Sequence, residues 1–151
     1  MENPNGSSVS EVKVRTTGQV SCGIGVLDIG TPEAVVALRI GDLVCRVGDL
    51  RTLTALNYIW SLAEQHVTRL PYRNEPQHLG ATPGLYRVGL LFDLQGLVPS
   101  AVTFIAAHGE TPAHVRVQFG PIVWQVTDRA AWEVVAATVR RALNALHTLE
   151  A

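Results

Sequence analysis

The chain has 151 residues, of which 47% are hydrophobic and 17% are charged, and its formal net charge at pH 7 is -1. A chain of this length can bury a core without a metal ion or a disulfide. The near-zero net charge argues against a broad surface for binding phosphate groups. The large apolar share is typical of a protein that covers part of its surface with another subunit or partner.

The amino terminus, MENPNGSSVS, has neither the basic nor the apolar region of a signal peptide. We therefore expect a disordered tail over residues 1–10 and a cytoplasmic protein. No apolar run approaches the roughly 18 residues of a membrane-spanning helix, so no membrane association is expected. Cys22 and Cys45 lie in apolar stretches without a CxxC pattern, which favours buried free thiols.

The first half of the chain predicts four strands. Val12 and Val14 alternate with basic residues, and a longer strand is predicted over residues 19–29. The segment AVVALRIGDLVCRV breaks at Gly41-Asp42, a pair that suits a two-residue type II′ turn. This turn pairs apolar residues on the inward face, namely Ile40 with Leu43, Leu38 with Cys45, and Val36 with Val47. The opposite face is more polar and consists of Ala37, Arg39, Val44 and Arg46.

A helix is predicted directly after this hairpin. Asp49 is well placed to cap it, because a carboxylate can accept hydrogen bonds from the amides of the first turn. The helix carries an apolar stripe with alternating spacings of three and four, formed by Leu53, Leu56, Trp60, Ala63, Val67 and Leu70. Pro71 ends the helix, and the Pro- and Gly-rich residues 71–84 are predicted to form a loop.

The second half predicts the same elements again. Strands are expected over residues 86–92 and 100–108, with a turn at residues 93–96, and the apolar stretch SAVTFIAAH suits a central strand. A hairpin turning at Gly120-Pro121 pairs Phe119 with Ile122, Val117 with Trp124, and Val115 with Val126. Its opposite face carries Arg116, Gln118, Val123 and Gln125. Asp128 is placed to cap a second helix, whose stripe is Trp132, Val135, Val139, Ala142, Leu146 and Leu149.

The two halves align without gaps over residues 20–70 and 99–149. The match is strongest where Ala34, Val36, Gly41, Val44, Val47 and Asp49 fall on Ala113, Val115, Gly120, Val123, Val126 and Asp128. A repeat of this length is one supersecondary unit used twice. We therefore predict an α+β fold built by tandem duplication of a ββββα unit. The repeats span residues 11–70 and 85–149, are joined by the loop over residues 71–84, and form a single domain over residues 11–151.

Two ββββα units resemble, in topology, the Whirly and PUR-type proteins that bind single-stranded nucleic acid through their sheets. The actinobacterial SsgA-like division regulators combine the same topology with arginine-rich sequence, although no motif of the chain is specific to them. The likeness implies that the outward sheet faces are the functional surface. The candidate binding residues on or near these faces are Arg39, Arg46, Arg87, Arg116, Gln118 and Gln125.

Two functions are compatible with such a surface. Single-strand binding also needs aromatic stacking platforms, whereas the parity of the second hairpin turns Phe119 and Trp124 toward the core. We therefore expect a non-catalytic interaction or regulatory module that forms homo-oligomers and binds a protein partner. Binding of single-stranded nucleic acid through the sheet faces is the alternative.

Motifs for catalysis or for a metal or cofactor are weak. His108, Glu110 and His114 surround one turn, but their spacing matches no recurring set of ligands, so neither metal nor cofactor is expected. The GxG at residues 23–25 lacks the third glycine of a phosphate loop and favours a bulge or a close backbone approach. An enzyme would need a site under the loop over residues 71–84, formed for instance by Tyr72, Arg73, Glu75 and His78.

Overall fold

The computed structural model describes residues 12–18, 20–74 and 90–150, so the predicted tail and Arg87 lie outside the described residues. Within these ranges the first half contains β1 (Val12–Thr16), β2 (Cys22–Leu27), β3 (Val35–Ile40), β4 (Leu43–Val47), α1 (Leu50–Leu62) and α2 (Glu64–Val67). The second half contains β5 (Leu90–Leu94), β6 (Ser100–Ile105), β7 (His114–Phe119), β8 (Ile122–Val126) and α3 (Arg129–Glu150). The predicted α+β class is confirmed.

The strands form two four-stranded sheets that each draw on both halves of the chain. The β2 sheet has the order β2-β3-β4-β5, and the β1 sheet has the order β1-β8-β7-β6. In each sheet, three strands that are consecutive in the sequence pair in an antiparallel way. The fourth strand comes from the other half of the chain and pairs in parallel. Neither sheet is therefore complete until residues far apart in the sequence have come together.

Both predicted hairpins have the expected register. Ile40 pairs with Leu43, and Phe119 pairs with Ile122. The first central residue of each turn is a glycine with a positive φ, which is 63° at Gly41 and 60° at Gly120. A positive φ at this position is what a type II′ turn requires. The inward residues of both hairpins are buried, so the predicted parity is confirmed.

Two tryptophans join the helices to the sheets in one core. Trp60 of α1 meets Trp124 of β8 edge to face, with ring centroids 5.4 Å apart, and both are buried. Such pairs contribute about 0.5–1.5 kcal/mol beyond the area that they bury. The indole N–H of Trp132 in α3 donates to the main-chain oxygen of Trp60 at 2.9 Å, which links the two long helices directly. Helix α1 packs on β6 and β7, and α3 packs on β2 and β3, so each helix covers strands of the opposite half.

The first helical region is interrupted, which corrects the prediction of one helix up to Leu70. Helix α1 ends at Leu62 and the short α2 begins at Glu64. The Ala63 amide still donates to the oxygen of Ile59, and the oxygen of Ala63 accepts both from His66, three residues on, and from Val67, four residues on. The interruption is thus a local tightening of the helix. The predicted apolar stripe remains buried along its whole length.

The strand β6 lies at a sheet edge, so the prediction of a central strand over residues 100–108 is wrong in position as well as in length. Its outward residues Ala101 and Thr103 are exposed. On the other face, the guanidinium of Arg69 lies 3.7 Å from the ring centroid of Phe104. The outward residues of this apolar edge strand are small, and the exposed Arg69 covers the ring of Phe104 on the other face.

The predicted turn at residues 93–96 begins two residues too early. Asp93 and Leu94 belong to β5, where they pair with Arg46 and Val47, and Leu94 is buried. Parallel pairing with β4 extends the strand to these residues, a contact that the local sequence does not reveal. The strand predicted over residues 19–29 is also shorter, because it ends at Leu27 before the positive φ of Asp28.

Both predicted aspartate caps are present, in different surroundings. Asp128 is fully buried, and its carboxylate accepts from the amides of Gly18, Asn74 and Ala131 at 2.8–2.9 Å. Asp49 is partly exposed and accepts from the amide of Arg51 and the hydroxyl of Thr52, each at 3.0 Å. The α3 cap is therefore also a tertiary contact that ties two distant segments to the helix.

We expect Asp128→Ala to lower the free energy of unfolding by about 2–4 kcal/mol, because it removes a cap and deprives buried amides of their acceptor. The matched control is Asp49→Ala, which removes the corresponding cap in a more exposed place and should lower the stability less. Urea unfolding followed by circular dichroism measures both. Equal losses in the two variants would contradict the tertiary role of Asp128.

Candidate functional site

The outward side of the β2 sheet is a largely apolar surface, here called the apolar face. Its three rows, read across the paired strands, are Gly23, Arg39, Val44 and Leu91; Gly25, Ala37, Arg46 and Asp93; and Leu27 with Val35. Leu91 is 58% exposed and Leu27 is 42% exposed. An exposed leucine therefore stands on each edge strand of this face, which is typical of a surface that contacts another protein.

The two glycines of β2 leave its backbone open on this face. The register of β2 with β3 is unbroken from Cys22 to Leu27, which excludes the predicted bulge. A Cβ atom added to Gly23 or Gly25 would meet no other atom within 4 Å. The space above the strand is therefore open to the close approach of another backbone, the other expectation for this pair of glycines.

The two candidate arginines of the apolar face are engaged in local interactions. Arg46 makes two parallel hydrogen bonds to the carboxylate of Asp93, at 2.7 and 2.8 Å. These bonds hold the pKa of Asp93 below its usual value and raise the pKa of Arg46. Arg39 donates to the hydroxyl of Ser21 at 2.7 Å. Asp93 thus neutralises the charge of Arg46, whereas Arg39 keeps its charge beside a neutral hydroxyl, so one of the two arginines is withdrawn from binding phosphate groups.

The outward side of the β1 sheet, here called the polar face, has a different composition. Its two rows are Lys13, Val123, Gln118 and Ala101; and Arg15, Gln125, Arg116 and Thr103. Neither row contains an acidic or an aromatic residue. The structure thus brings three predicted residues, Arg116, Gln118 and Gln125, together with Lys13 and Arg15, which were not among the predicted binding residues.

Lys13 and Arg15 were not predicted as binding residues, because the strand beside them, β8, is distant in the sequence. The alternation of β1 indicates which of its residues share a side, but nothing in it reveals the parallel pairing with β8. Val123 also departs from expectation, since it holds its outward position in the register yet is fully buried. Arg116 donates to the side chain of Gln118 at 3.2 Å, and both are partly buried. The centre of the polar face is therefore shielded.

The candidate residues consequently do not form one surface. Arg39 and Arg46 lie on the apolar face, whereas Arg116, Gln118 and Gln125 lie on the polar face. Arg87 falls outside the part of the chain that the structure describes. Any partner that contacts one of these groups meets a surface of different chemistry from the other.

A third feature is a groove of about 390 Å³ at the carboxyl ends of β4 and β5, here called the helix-end groove. It is lined by Val35, Arg46, Gly48, Asp49, Asp93, Leu94, Gln95 and Gly96. Hydrogen bonds from the Arg51 amide and the Thr52 hydroxyl hold the pKa of Asp49 below its usual value. The Thr52 hydroxyl also lies 3.0 Å from the main-chain oxygen of Gly96, which joins α1 to the far wall of the groove.

Residues with catalytic or metal-binding potential are not assembled in the described ranges. No group of three or more His, Cys, Asp or Glu side chains there could hold a metal ion. His114 is buried with its ring Nδ1 2.9 Å from the oxygen of Pro112, whereas His108 and Glu110 are exposed.

The predicted enzyme site under the loop remains a prediction, because Glu75 and His78 lie outside the described residues. Tyr72, which the same hypothesis includes, instead places its hydroxyl 3.2 Å from a carboxylate oxygen of Glu133 in α3. The guanidinium of Arg129 lies 5.4 Å from its ring centroid.

No protein-family model matches the chain, and no curated protein or solved structure does so either. Among the helices in the described ranges, none has the length and apolar character needed to cross a membrane.

The reactivity of the two cysteines tests how deeply the structure buries their thiols. Both are free, and burial raises the pKa of Cys45 to about 12 and also raises the pKa of the half-buried Cys22. Because the thiolate is the reactive form, we expect Ellman's reagent at pH 8 to modify Cys22 slowly and Cys45 only after unfolding in urea. A Cys22→Ser variant should show no reaction in the native state. Rapid modification of both thiols in the native protein would disprove the burial of Cys45.

Proposed function

We propose that this chain is a non-catalytic interaction module that forms homo-oligomers and binds a protein partner, with the apolar face as the surface for self-association. The observation that carries the proposal is the exposure of Leu27 and Leu91 on an open sheet face whose second arginine, Arg46, is already paired with Asp93. The burial of its leucines favours association, and the Arg46–Asp93 pair can enter a contact with its charges matched. The exposed Arg39 must keep its access to solvent or to a hydrogen-bond acceptor in such a contact.

The edge strands support the same proposal. Sheet edges are commonly protected by charged residues, and β1 carries Lys13 and Arg15 while β5 carries Asp93. The edge strands β2 and β6 both lack a charged residue, but β2 is the one that borders the apolar face. An uncharged edge beside an open apolar face favours contact with another polypeptide chain.

We further propose that the two halves are tandem copies of a ββββα unit, related by a pseudo-twofold axis, with a topology like that of Whirly and PUR-type proteins. The support is the repeated order of elements, the matching hairpin registers, and an aspartate at the start of each long helix. Under this proposal the two outward faces are variants of one ancestral surface that have diverged in chemistry.

Self-association through the apolar face is tested by Leu91→Arg. An arginine in the contact would be desolvated without a partner, so we expect the dissociation constant of the oligomer to rise at least about tenfold, or roughly 1.4 kcal/mol. Light scattering and sedimentation over a range of protein concentrations measure it. The matched control is Leu97→Arg, because Leu97 is 73% exposed but lies outside the apolar face. A wild type that is monomeric throughout, or an unchanged L91R oligomer, would refute the proposal.

Binding of single-stranded nucleic acid is the second candidate, and the polar face is the observation that favours it. Lys13, Arg15 and Arg116 lie there beside two glutamines, with no carboxylate in either row. The absence of aromatic residues from these rows limits the contribution of base stacking, so contacts to phosphate would have to dominate.

This second candidate predicts salt-dependent binding of a labelled oligonucleotide. Replacing both Lys13 and Arg15 by Gln should weaken binding and flatten the dependence of log affinity on log salt by about 1.4, or 0.7 for each lost phosphate contact. Arg51→Gln is the control, since Arg51 is an exposed arginine on α1. Fluorescence anisotropy between low and moderate salt provides the measurement. Failure to bind at low salt would eliminate this function.

A further inference from the structure

The start of α3 is already occupied by a segment of the chain itself. The main-chain oxygens of Pro71 and Tyr72 accept hydrogen bonds from the first two amides of α3, those of Arg129 and Ala130, at 3.0 and 2.8 Å. Asn74 adds two further hydrogen bonds to this contact. Its amide donates to the carboxylate of Asp128 at 2.9 Å, and its side chain donates to the oxygen of Thr127 at 2.6 Å.

The helix-end groove at α1 has the same framework. Asp49 begins α1 as Asp128 begins α3, and each aspartate follows the final strand of a hairpin by two residues. Each hairpin strand has a parallel neighbour, and a glycine of positive φ follows that neighbour by two residues. These glycines are Gly96 with a φ of 69° at the α1 end and Gly18 with a φ of 64° at the α3 end.

The two ends differ in what covers them. At the α3 end Thr127 and Asp128 are buried under the segment over residues 71–74. At the α1 end the corresponding Gly48 is exposed, Asp49 is partly exposed, and the groove of about 390 Å³ is open. The amide of Leu50, which corresponds to the amide of Arg129, has no acceptor among the described residues. Glu150, which aligns with Pro71, is still helical, so up to that residue α3 supplies no equivalent segment.

We propose that the helix-end groove binds a peptide segment of a partner protein through part of the bonds by which the α3 end binds residues 71–74. The bond from the Ala130 amide to Tyr72 has no counterpart, because the Arg51 amide already donates to Asp49. The segment supplies a main-chain oxygen to the Leu50 amide and a main-chain amide to the Asp49 carboxylate. A short amide side chain, in the role of Asn74, reaches the oxygen of Gly48. This assignment rests on the proposed role as an interaction module and names the class of partner, but it does not depend on self-association.

The charges of the groove favour a neutral main chain over an anion. The first turn of a helix attracts negative charge through its free amides and its dipole. Here the Asp49 carboxylate already stands at that position, and its low pKa keeps it ionised at neutral pH. The nearby Arg46 is paired with Asp93. A phosphate would meet the repulsion of Asp49, whereas a peptide offers an N–H to the carboxylate and a carbonyl to the helix.

The test is a titration of the full-length, ¹⁵N-labelled chain with the blocked peptide Leu-Pro-Tyr-Arg-Asn, which copies residues 70–74, and with a scrambled peptide of the same composition. We expect saturable shifts of the Arg51, Thr52 and Gly96 amide signals with the first peptide only. Leu50→Pro removes the proposed donor at the first helical position, where proline is well tolerated. Asp49 has a φ of -118° and a ψ of 123°, which suit a residue before proline.

The matched control is Leu50→Ala, which shortens the same side chain but keeps the amide. Relative to this control, Leu50→Pro should bind the peptide about three- to tenfold more weakly, as expected for the loss of one hydrogen bond. Equal affinity of the two variants, shifts away from the groove, or no shifts in the wild type would overturn the proposal. The titration is repeated with Leu91→Arg. Unchanged binding by that variant supports a groove that works without self-association, whereas binding lost with the oligomer refutes the assignment to a single chain.

Discussion

Parallel pairing between the two halves is the constraint on which the rest of the structure depends. Strand β5 completes the sheet of the first hairpin, and β1 completes the sheet of the second. The helices cross over in the same way, because α3 packs on β2 and β3 while α1 packs on β6 and β7. Half of the chain alone would expose an unpaired strand and the inner face of a sheet. The core around Trp60 and Trp124 therefore forms as a single unit from both halves, and its formation requires contacts between residues far apart in sequence.

The sequence predicted those features whose causes are local. A turn at Gly41 or Gly120 fixes the register of its two strands, and strict alternation then determines which residues are buried. The caps at Asp49 and Asp128 are also local, since the carboxylate reaches amides two or three residues ahead. The edge position of β6 and the extent of β5 were mispredicted because they depend on which distant strand lies alongside. The candidate polar face was mispredicted for the same reason, because Lys13 and Arg15 join it only through the pairing of β1 with β8.

One pair of corresponding positions shows how a shared framework yields two different surfaces. On the β2 sheet Arg46 lies opposite Asp93, and the two side chains form a bidentate ion pair. On the β1 sheet the corresponding positions hold Gln125 and Arg15, so a carboxylate is missing and a basic residue stands on the other strand. On the apolar face the ion pair neutralises its own charges, so the exposed Leu27 and Leu91 dominate the surface. On the polar face basic and amide side chains dominate. A difference of two side chains on paired strands thus separates a surface suited to apolar contact from one suited to anions.

Chain connectivity explains why the two helix starts cannot be equivalent. Each start presents free amides at the end of a parallel strand pair, and such amides need acceptors from outside the helix. The segment that leaves α2 at Pro71 passes over α3, where its oxygens and Asn74 satisfy that need. Residues 71–74, the described part of this connector, lie at the α3 end. At the other end, the hydroxyl of Thr52 bridges Asp49 and Gly96, where α3 has Ala131 and the amide of Gly18 reaches Asp128 directly. That bridge holds the walls of the groove together without filling it, so the α1 end is stable while it stays open to another polypeptide.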